Sequence, residues 1–160
     1  ADVIKERGFR LIIYLASPSV KTAAQLFHKK TGIPVEFISY TSHENMLKLH
    51  GQARVSIGLS MSDAISTSFL EAIVMGSFPI QSSTSCANEW AVSGETAFLV
   101  DPEDIPAISA ALHQALTDDS LVDRASQINS QVVRERLDYR KLKELVVSSY
   151  KKIYAKEALQ

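Results

Sequence analysis

The feature that most constrains this chain is a series of strand-sized apolar runs, residues 11–16, 35–40 and 55–60, separated by stretches whose apolar residues recur at helical spacing. A short apolar run bounded by turn residues reads as a buried strand, and apolar residues three to four apart read as one helix face. Their alternation specifies βαβ units, and so an α/β fold with a parallel sheet. Between the first two runs, Ala23, Leu26 and Phe27 share a helical face that Gly32-Ile33-Pro34 ends, because Gly tolerates the left-handed cap and Pro cannot continue a helix. Between the second and third, Met46, Leu47 and Leu49 follow the capping candidates Thr41 and Ser42. The pattern then repeats with a helix over 68–75 ended by Gly76, a strand over 78–81 and another over 96–100, which makes five parallel strands.

After Asp101 the texture changes to helical stretches over 105–116, 121–137 and 139–156, punctuated by Asp118-Asp119 and Asp138, with Pro106 suited to a first turn. Residues 1–100 are thus expected to form the parallel core and 101–160 a mostly helical flank, packed on the sheet or reaching toward another domain. At 160 residues the chain is sized for a single domain. Hydrophobic residues at 46% and charged residues at 22% exclude disordered, collagen-like and disulfide-scaffold classes. A net charge of -1 provides no basic field for a phosphate backbone, so nucleic acid is not an expected partner. No apolar run approaches the ~20 residues that span a bilayer, and no transmembrane segment is expected. The lone Cys86 forms no internal disulfide and suits a reducing cytoplasm.

Open parallel sheets bind ligands outside the carboxyl ends of their strands, so the informative loops are those leaving each run. They are Ser17-Pro18-Ser19, Tyr40-Thr41-Ser42 and the polar stretch 60–68, which feeds the helix carrying Glu71. Free backbone N–H groups at such a helix start, at the positive end of its dipole, accept an anion without any basic side chain. Asp63 in the loop and Glu71 about a turn inside the helix flank that point. Two carboxylates there accept hydrogen bonds from sugar hydroxyls on either side of a phosphate, which suits a nucleotide-sugar. Local alternatives stay open. Ser68-Phe69-Leu70-Glu71 has capping-box spacing, Asp63 suits an Asx-turn, and Trp90 either stacks on a ligand or plugs the core. His28, His43, His50 and His113 have no neighbouring carboxylate at metal-ligand spacing, and no metal is expected. Gly-x-Ser-x-Gly, Gly-x-Gly-x-x-Gly and Walker A runs do not occur.

The segment Ser62-Asp63-Ala64-Ile65-Ser66-Thr67-Ser68-Phe69-Leu70-Glu71-Ala72, followed by Met75-Gly76, Phe78-Pro79-Ile80, Glu89 and Gly94-Glu95-Thr96-Ala97-Phe98-Leu99-Val100, resembles the C-terminal domain of GT-B-fold retaining glycosyltransferases. That group includes glycogen synthases and sucrose synthases. Its hallmark is two acidic residues with seven between them, the spacing of Asp63 and Glu71. The first acid is usually Glu with a Gly-rich continuation, whereas here Asp63 is followed by Ala64-Ile65-Ser66. The resemblance runs from Ala1 to the last helix, with its specific motifs within residues 60–100.

It implies a Rossmann-like three-layer domain that is the donor-binding half of a transferase moving sugar from a UDP- or GDP-linked donor to an acceptor hydroxyl. It implies that Glu71 holds the ribose, that Asp63 holds the donor sugar in the catalytic position, and that amides of Ile65, Ser66 and Thr67 approach the distal phosphate or sugar. The strand end at Ile38 and Tyr40 would cradle the base, largely through backbone. The family's Arg and Lys pair for the diphosphate has no match in the early residues, where Lys5, Arg7 and Arg10 read as a solvated helix face and turn. The N-terminal acceptor-binding domain is likewise expected to lie outside this chain, as a partner region of the same protein, and this chain alone is expected to be inactive. A cytoplasmic location, peripheral to the inner membrane face in the full-length protein, fits that reading. The alternative is a non-catalytic nucleotide or sugar-binding regulatory module.

Overall fold

The helix boundaries follow from local chemistry. In the computed structural model, which describes residues 1–157, the order is α1 (Asp2–Glu6), β1 (Leu11–Tyr14), α2 (Pro18–Thr31), β2 (Val35–Ile38), α3 (His43–Gln52), β3 (Val55–Gly58), α4 (Thr67–Met75) and β4 (Phe78–Ser82). A 3-10 turn (Cys86–Glu89), β5 (Phe98–Val100), α5 (Ile105–Thr117), α6 (Asp119–Arg136) and α7 (Tyr139–Glu157) complete it. Ser17 caps α2 by accepting the Val20 amide, Pro18 opens the helix, and Gly32 closes it at φ 74°. Ser42, Asp104 and Asp118 cap α3, α5 and α6 in the same way. β1 stops sooner than its apolar run because Leu15 turns into the left-handed region at φ 50° and leads the chain out of the sheet.

All pairings are parallel: Leu11 lies opposite Val35, Val55 opposite Phe78, and Ile80 opposite Phe98. The five strands nevertheless form two ladders, β1-β2 and β3-β4-β5, in place of the one sheet expected from the pattern, because periodicity marks a strand without naming its neighbour.

β4 is buried along its whole length, as a strand covered on both faces must be. On one face Phe78 and Ile80 pack with Ala111 and Ala115 of α5 and Leu121, Val122 and Ala125 of α6. On the other, Phe69 and Ile73 of α4 pack with Ala87, Ala91 and Ala97. The result is three layers, helix on sheet on helix. Pro79 is tolerated in this central strand for a geometric reason. The Phe78 amide donates to the Arg54 carbonyl on the β3 side, so the next nitrogen points toward β5, whose pairing starts only at Ile80. Of the helical flank, α5 and α6 pack on the sheet, whereas residues 139–155 of α7 are exposed. The early basic residues are more engaged than a solvated face suggests. Arg7 contacts Asp119 at 2.8 Å and Arg10 contacts Glu36 at 3.5 Å.

Candidate functional site

The loop from β3 to α4 is fixed from below. Thr84 Oγ1 donates to the Ser60 carbonyl at 2.7 Å, and the Cys86 amide donates to the Ala64 carbonyl at 2.8 Å, so the turn after β4 holds the loop at both ends. Where β3 ends, a Cβ on Gly58 would lie 2.6 Å from Oε1 of the buried Gln81, so Gly at this position lets the Gln81 side chain cross the strand end.

α4 begins at Thr67, one residue before the expected start. Its N-cap, Ser66, makes no side-chain cap hydrogen bond, and its first turn carries no acidic residue. The first-turn amides are therefore left for water or an anion, at the positive end of the helix dipole. This start also disposes of the capping box, since Glu71 lies in the second turn and out of reach of the N-cap amide.

The Glu71 carboxylate, 13% exposed, faces α3 instead: Oε1 is 3.0 Å from His43 Nδ1 and Oε2 is 3.7 Å from His50 Nε2. Behind His50 a polar chain continues, with Nδ1 2.9 Å from Ser56 Oγ and that oxygen 2.8 Å from Ser77 Oγ. Burial pushes the His50 pKa below its ordinary 6.5, and the Glu71 charge opposes that shift only partly. The ring is neutral near pH 7, and at 3.7 Å its contact with Glu71 is not a hydrogen bond. Neither histidine was expected beside a carboxylate. The available signal was their spacing, His43 and His50 being seven apart and so on one face of α3.

The remaining candidates fall in two places. Asp63 is exposed, and among the described residues its carboxylate accepts no hydrogen bond, so the Asx-turn does not form. Ile65 packs against the Phe69 and Ile73 cluster, Ser66 is half-buried and Thr67 exposed, all on the same loop and helix start. Ile38 closes β2, and its carbonyl accepts the Leu15 amide at 2.9 Å, so that oxygen belongs to the ladder. Tyr40, 87% exposed, stands just beyond, before the cap of α3. Trp90 packs against the α4-side cluster and carries the Arg136 guanidinium 3.7 Å from its ring centre, the core reading with a cation–π contact added. Among the described residues no group of three His, Cys, Asp or Glu side chains is arranged to hold a metal, and no helix is long and apolar enough to cross a membrane.

The sequence profile of the glycosyl transferases group 1 family matches residues 15–132, a span that holds the β3–α4 loop, Glu71 and the whole β3-β4-β5 ladder. The chain belongs to this family. Solved structures agree on the fold. Sucrose-phosphate synthase from Thermosynechococcus elongatus superposes at TM-score 0.78 with 17% identity, covering 92% of this chain and 39% of that one. HepE of Anabaena, in complex with UDP-glucose, superposes at 0.75 with 11% identity over 94% of this chain and 43% of that one. The C-terminal domain of the group 1 protein LpcC from Francisella tularensis superposes at 0.72 with 18% identity over 86% and 75%. The chain thus spans about two fifths of the first two structures, and no curated protein matches it in sequence. Family membership and fold agree: the chain is an α/β domain of this family with the Rossmann-like fold of these structures.

Proposed function

We propose that residues 1–160 form one nucleotide-sugar-binding domain, the C-terminal, donor-binding half of a retaining glycosyltransferase of the glycogen synthase and sucrose synthase-like group. The observation that carries this reading is the start of α4: a turn of uncapped amides, with Asp63 free in the loop before it and Glu71 held upright in its second turn. A helix start without its own cap has donors to offer, and a diphosphate is the ligand whose charge the dipole favours. HepE, of the same architecture, is described in complex with UDP-glucose, and TarM from S. aureus in complex with UDP, which makes a nucleoside-diphosphate sugar the natural class of donor.

On this reading amides of Ile65, Ser66 and Thr67 meet the distal phosphate or sugar, Glu71 accepts from ribose hydroxyls, and Asp63 accepts from hydroxyls of the donor sugar. The β2 end at Ile38 and Tyr40 lies against the base, UDP- or GDP-linked. The acceptor hydroxyl, brought by an N-terminal domain of the same protein, attacks the anomeric carbon from the face the diphosphate leaves. Rate enhancement comes from orientation and from stabilising charge on the leaving group, and the reading requires no metal or cofactor. The 160-residue chain alone binds donor without transferring sugar. The full-length enzyme works in the cytoplasm, peripheral to the inner membrane face.

Calorimetric titration of the chain with UDP, GDP and their glucose and mannose conjugates tests this. Asp63→Asn should weaken a matching nucleotide-sugar relative to its bare diphosphate by about 1.5–3 kcal/mol, the worth of one charge-assisted hydrogen bond. Glu71→Gln should weaken both alike, because both carry the ribose. A chain that binds none of these ligands, or a Glu71→Gln variant that binds all of them unchanged, would refute the reading.

A further inference from the structure

The two oxygens of the Glu71 carboxylate meet unequal neighbours. α3 and α4 lie side by side and run in the same direction: His43, the first residue of α3, reaches Glu71, and further along a Cβ on Gly51 would lie 3.0 Å from Met75 Cε. Oε1, next to His43, is therefore on the side of the helix starts, and Oε2 is on the deeper side with His50. The His43 side chain is 71% exposed, so water or a ligand hydroxyl can take its place on Oε1. His50 is 12% exposed and is held from behind by Ser56 and, through it, Ser77.

The hydrogens of this inner group follow from counting donors and acceptors. A neutral imidazole carries one N–H and one bare nitrogen, and a serine hydroxyl has one proton to donate. Ser56 Oγ lies between His50 Nδ1 at 2.9 Å and Ser77 Oγ at 2.8 Å. With the ring proton on Nδ1, Ser56 would pass its own proton to Ser77, and the Ser77 proton would have no acceptor among the described residues. Nε2 would then turn a lone pair on the Glu71 carboxylate, a repulsive contact in a buried place. The opposite order removes both conflicts. Ser77 donates to Ser56, Ser56 donates to Nδ1, and the Nε2–H is aimed at Oε2. Among the described residues the buried Nε2 has no hydrogen-bond partner, and Oε2 stands 3.7 Å away. Buried donors are seldom left in that condition. Closing by about 0.8 Å, to the ~2.9 Å of an ordinary N–H···O bond, satisfies it.

We propose that His50 is a positioning residue for Glu71: its Nε2–H, oriented by Ser56 and Ser77, holds Oε2 and so presents Oε1 to a ribose hydroxyl, which displaces His43. This rests on the reading of Glu71 as the ribose ligand. A glutamate side chain left free loses rotamer freedom when a ligand fixes it, and a carboxylate already held has less to lose. An imidazole suits the place because its two nitrogens sit on different edges of one rigid ring, one for Ser56 and one for Glu71.

Asparagine and glutamine separate those two edges. His50→Asn keeps a polar group where Nδ1 sits but loses the donor to Glu71, whereas His50→Gln carries an amide N–H to the Nε2 position. Calorimetric titration with UDP, and with GDP in parallel, should find His50→Asn weakened by about tenfold, as for loss of a hydrogen bond to a charged group, and His50→Gln back within about threefold of the unmodified chain. A role in packing alone predicts the same loss in both. In the unmodified chain near pH 7, the ring nitrogen shifts read by NMR should place the proton on Nε2, and added UDP should move the Nε2–H signal downfield as its bond shortens. The tautomer is read without any nucleotide and without any variant, so it decides the proposal even where His50→Asn does not fold. A proton on Nδ1, an Asn variant that binds like the unmodified chain, or equal losses in the Asn and Gln variants overturns the proposal. Binding of neither nucleotide by the unmodified chain overturns the donor reading instead, and the tautomer then shows by itself whether His50 holds Glu71.

Discussion

The β1-β2 ladder and the β3-β4-β5 ladder differ in a way their strand compositions do not foretell. β1 reads Leu-Ile-Ile-Tyr and has no buried residue, while β4 reads Phe-Pro-Ile-Gln-Ser and is buried throughout, its glutamine and serine included. The helices divide likewise: α2 and α3 bury nothing, whereas α4, α5 and α6 each contribute to a core cluster. Ile33 is the one buried residue before Phe69 among the described residues. Burial is set by the neighbours a strand acquires. β4 has a strand on each side and helices on both faces, and β1 has a strand on one side only. Stability should therefore be concentrated in the second half of the molecule, with the β3–α4 loop on its border.

The largest effect should come from truncating matched aromatics in the two ladders. Phe78 is 1% exposed and meets the Phe98 ring edge-on at 5.2 Å. Phe78→Ala should cost about 3–5 kcal/mol in urea unfolding, the range for emptying a packed aromatic site. Phe37 on β2 is only half-buried, and Phe37→Ala should cost less than about 2 kcal/mol, because part of its surface already meets water. Equal costs would show that the two halves are equally consolidated and break the comparison.

A polar pair sharpens it. Asn129 of α6, 2% exposed, donates to the Thr96 carbonyl at 3.0 Å, while His28 of α2 bonds the Ile33 carbonyl at 2.7 Å on the open half. Removing a buried partner leaves a carbonyl that water cannot reach, so Asn129→Ala should cost about 1–3 kcal/mol. His28→Ala should cost about 1 kcal/mol or less, because the exposed His28 is what covers the Ile33 carbonyl and its removal lets water in to replace the lost contact. Thermal unfolding of the two variants under one set of conditions decides the order, and a costlier His28 variant would reverse it.

These contrasts also mark what was legible in the sequence. From β1 onward each strand and helix announces itself locally, through an apolar run, a Ser or Asp cap, or a closing Gly such as Gly32 or Gly76, whereas α1 has no such signal. The strand ends are less legible: nothing in an apolar run reveals that Leu15 leaves it in a left-handed conformation. The partition into two ladders is invisible for a deeper reason, because hydrogen-bond neighbours are chosen by topology. At the site, the Asp63 and Glu71 spacing pointed to the β3–α4 loop, and the capping-box motif competed with it for Glu71. That motif fails because α4 nucleates at Ser66, where no side-chain cap forms, and a four-residue pattern does not say which serine is the cap. The contact of Glu71 with His43 and His50 depends on how α3 packs against α4, and only the shared helical face of the two histidines hinted at it.

The smallest expected effect lies on the seam between the halves, where His50 of α3 faces Glu71 of α4 and leans on Ser56 and, through it, Ser77. Burial holds its folded pKa below the 6.5 of an unfolded chain, with the Glu71 charge opposing. Above pH 6.5 the ring is neutral in both states and the fold keeps its full stability. As pH falls from 6.5 through the folded value, the unfolded chain takes up the proton first, so stability declines, and it levels off once the folded ring is charged as well. Unfolding midpoints in a pH series from neutral to mildly acid should show that fall, and His50→Asn should flatten it. Because Glu71 is the group that raises the pKa, Glu71→Gln should move the His50 titration followed by NMR further down. An upward movement, or a wild-type pKa above 6.5, would mean that charge rather than burial governs the seam, and that α3 and α4 meet there through a true ion pair.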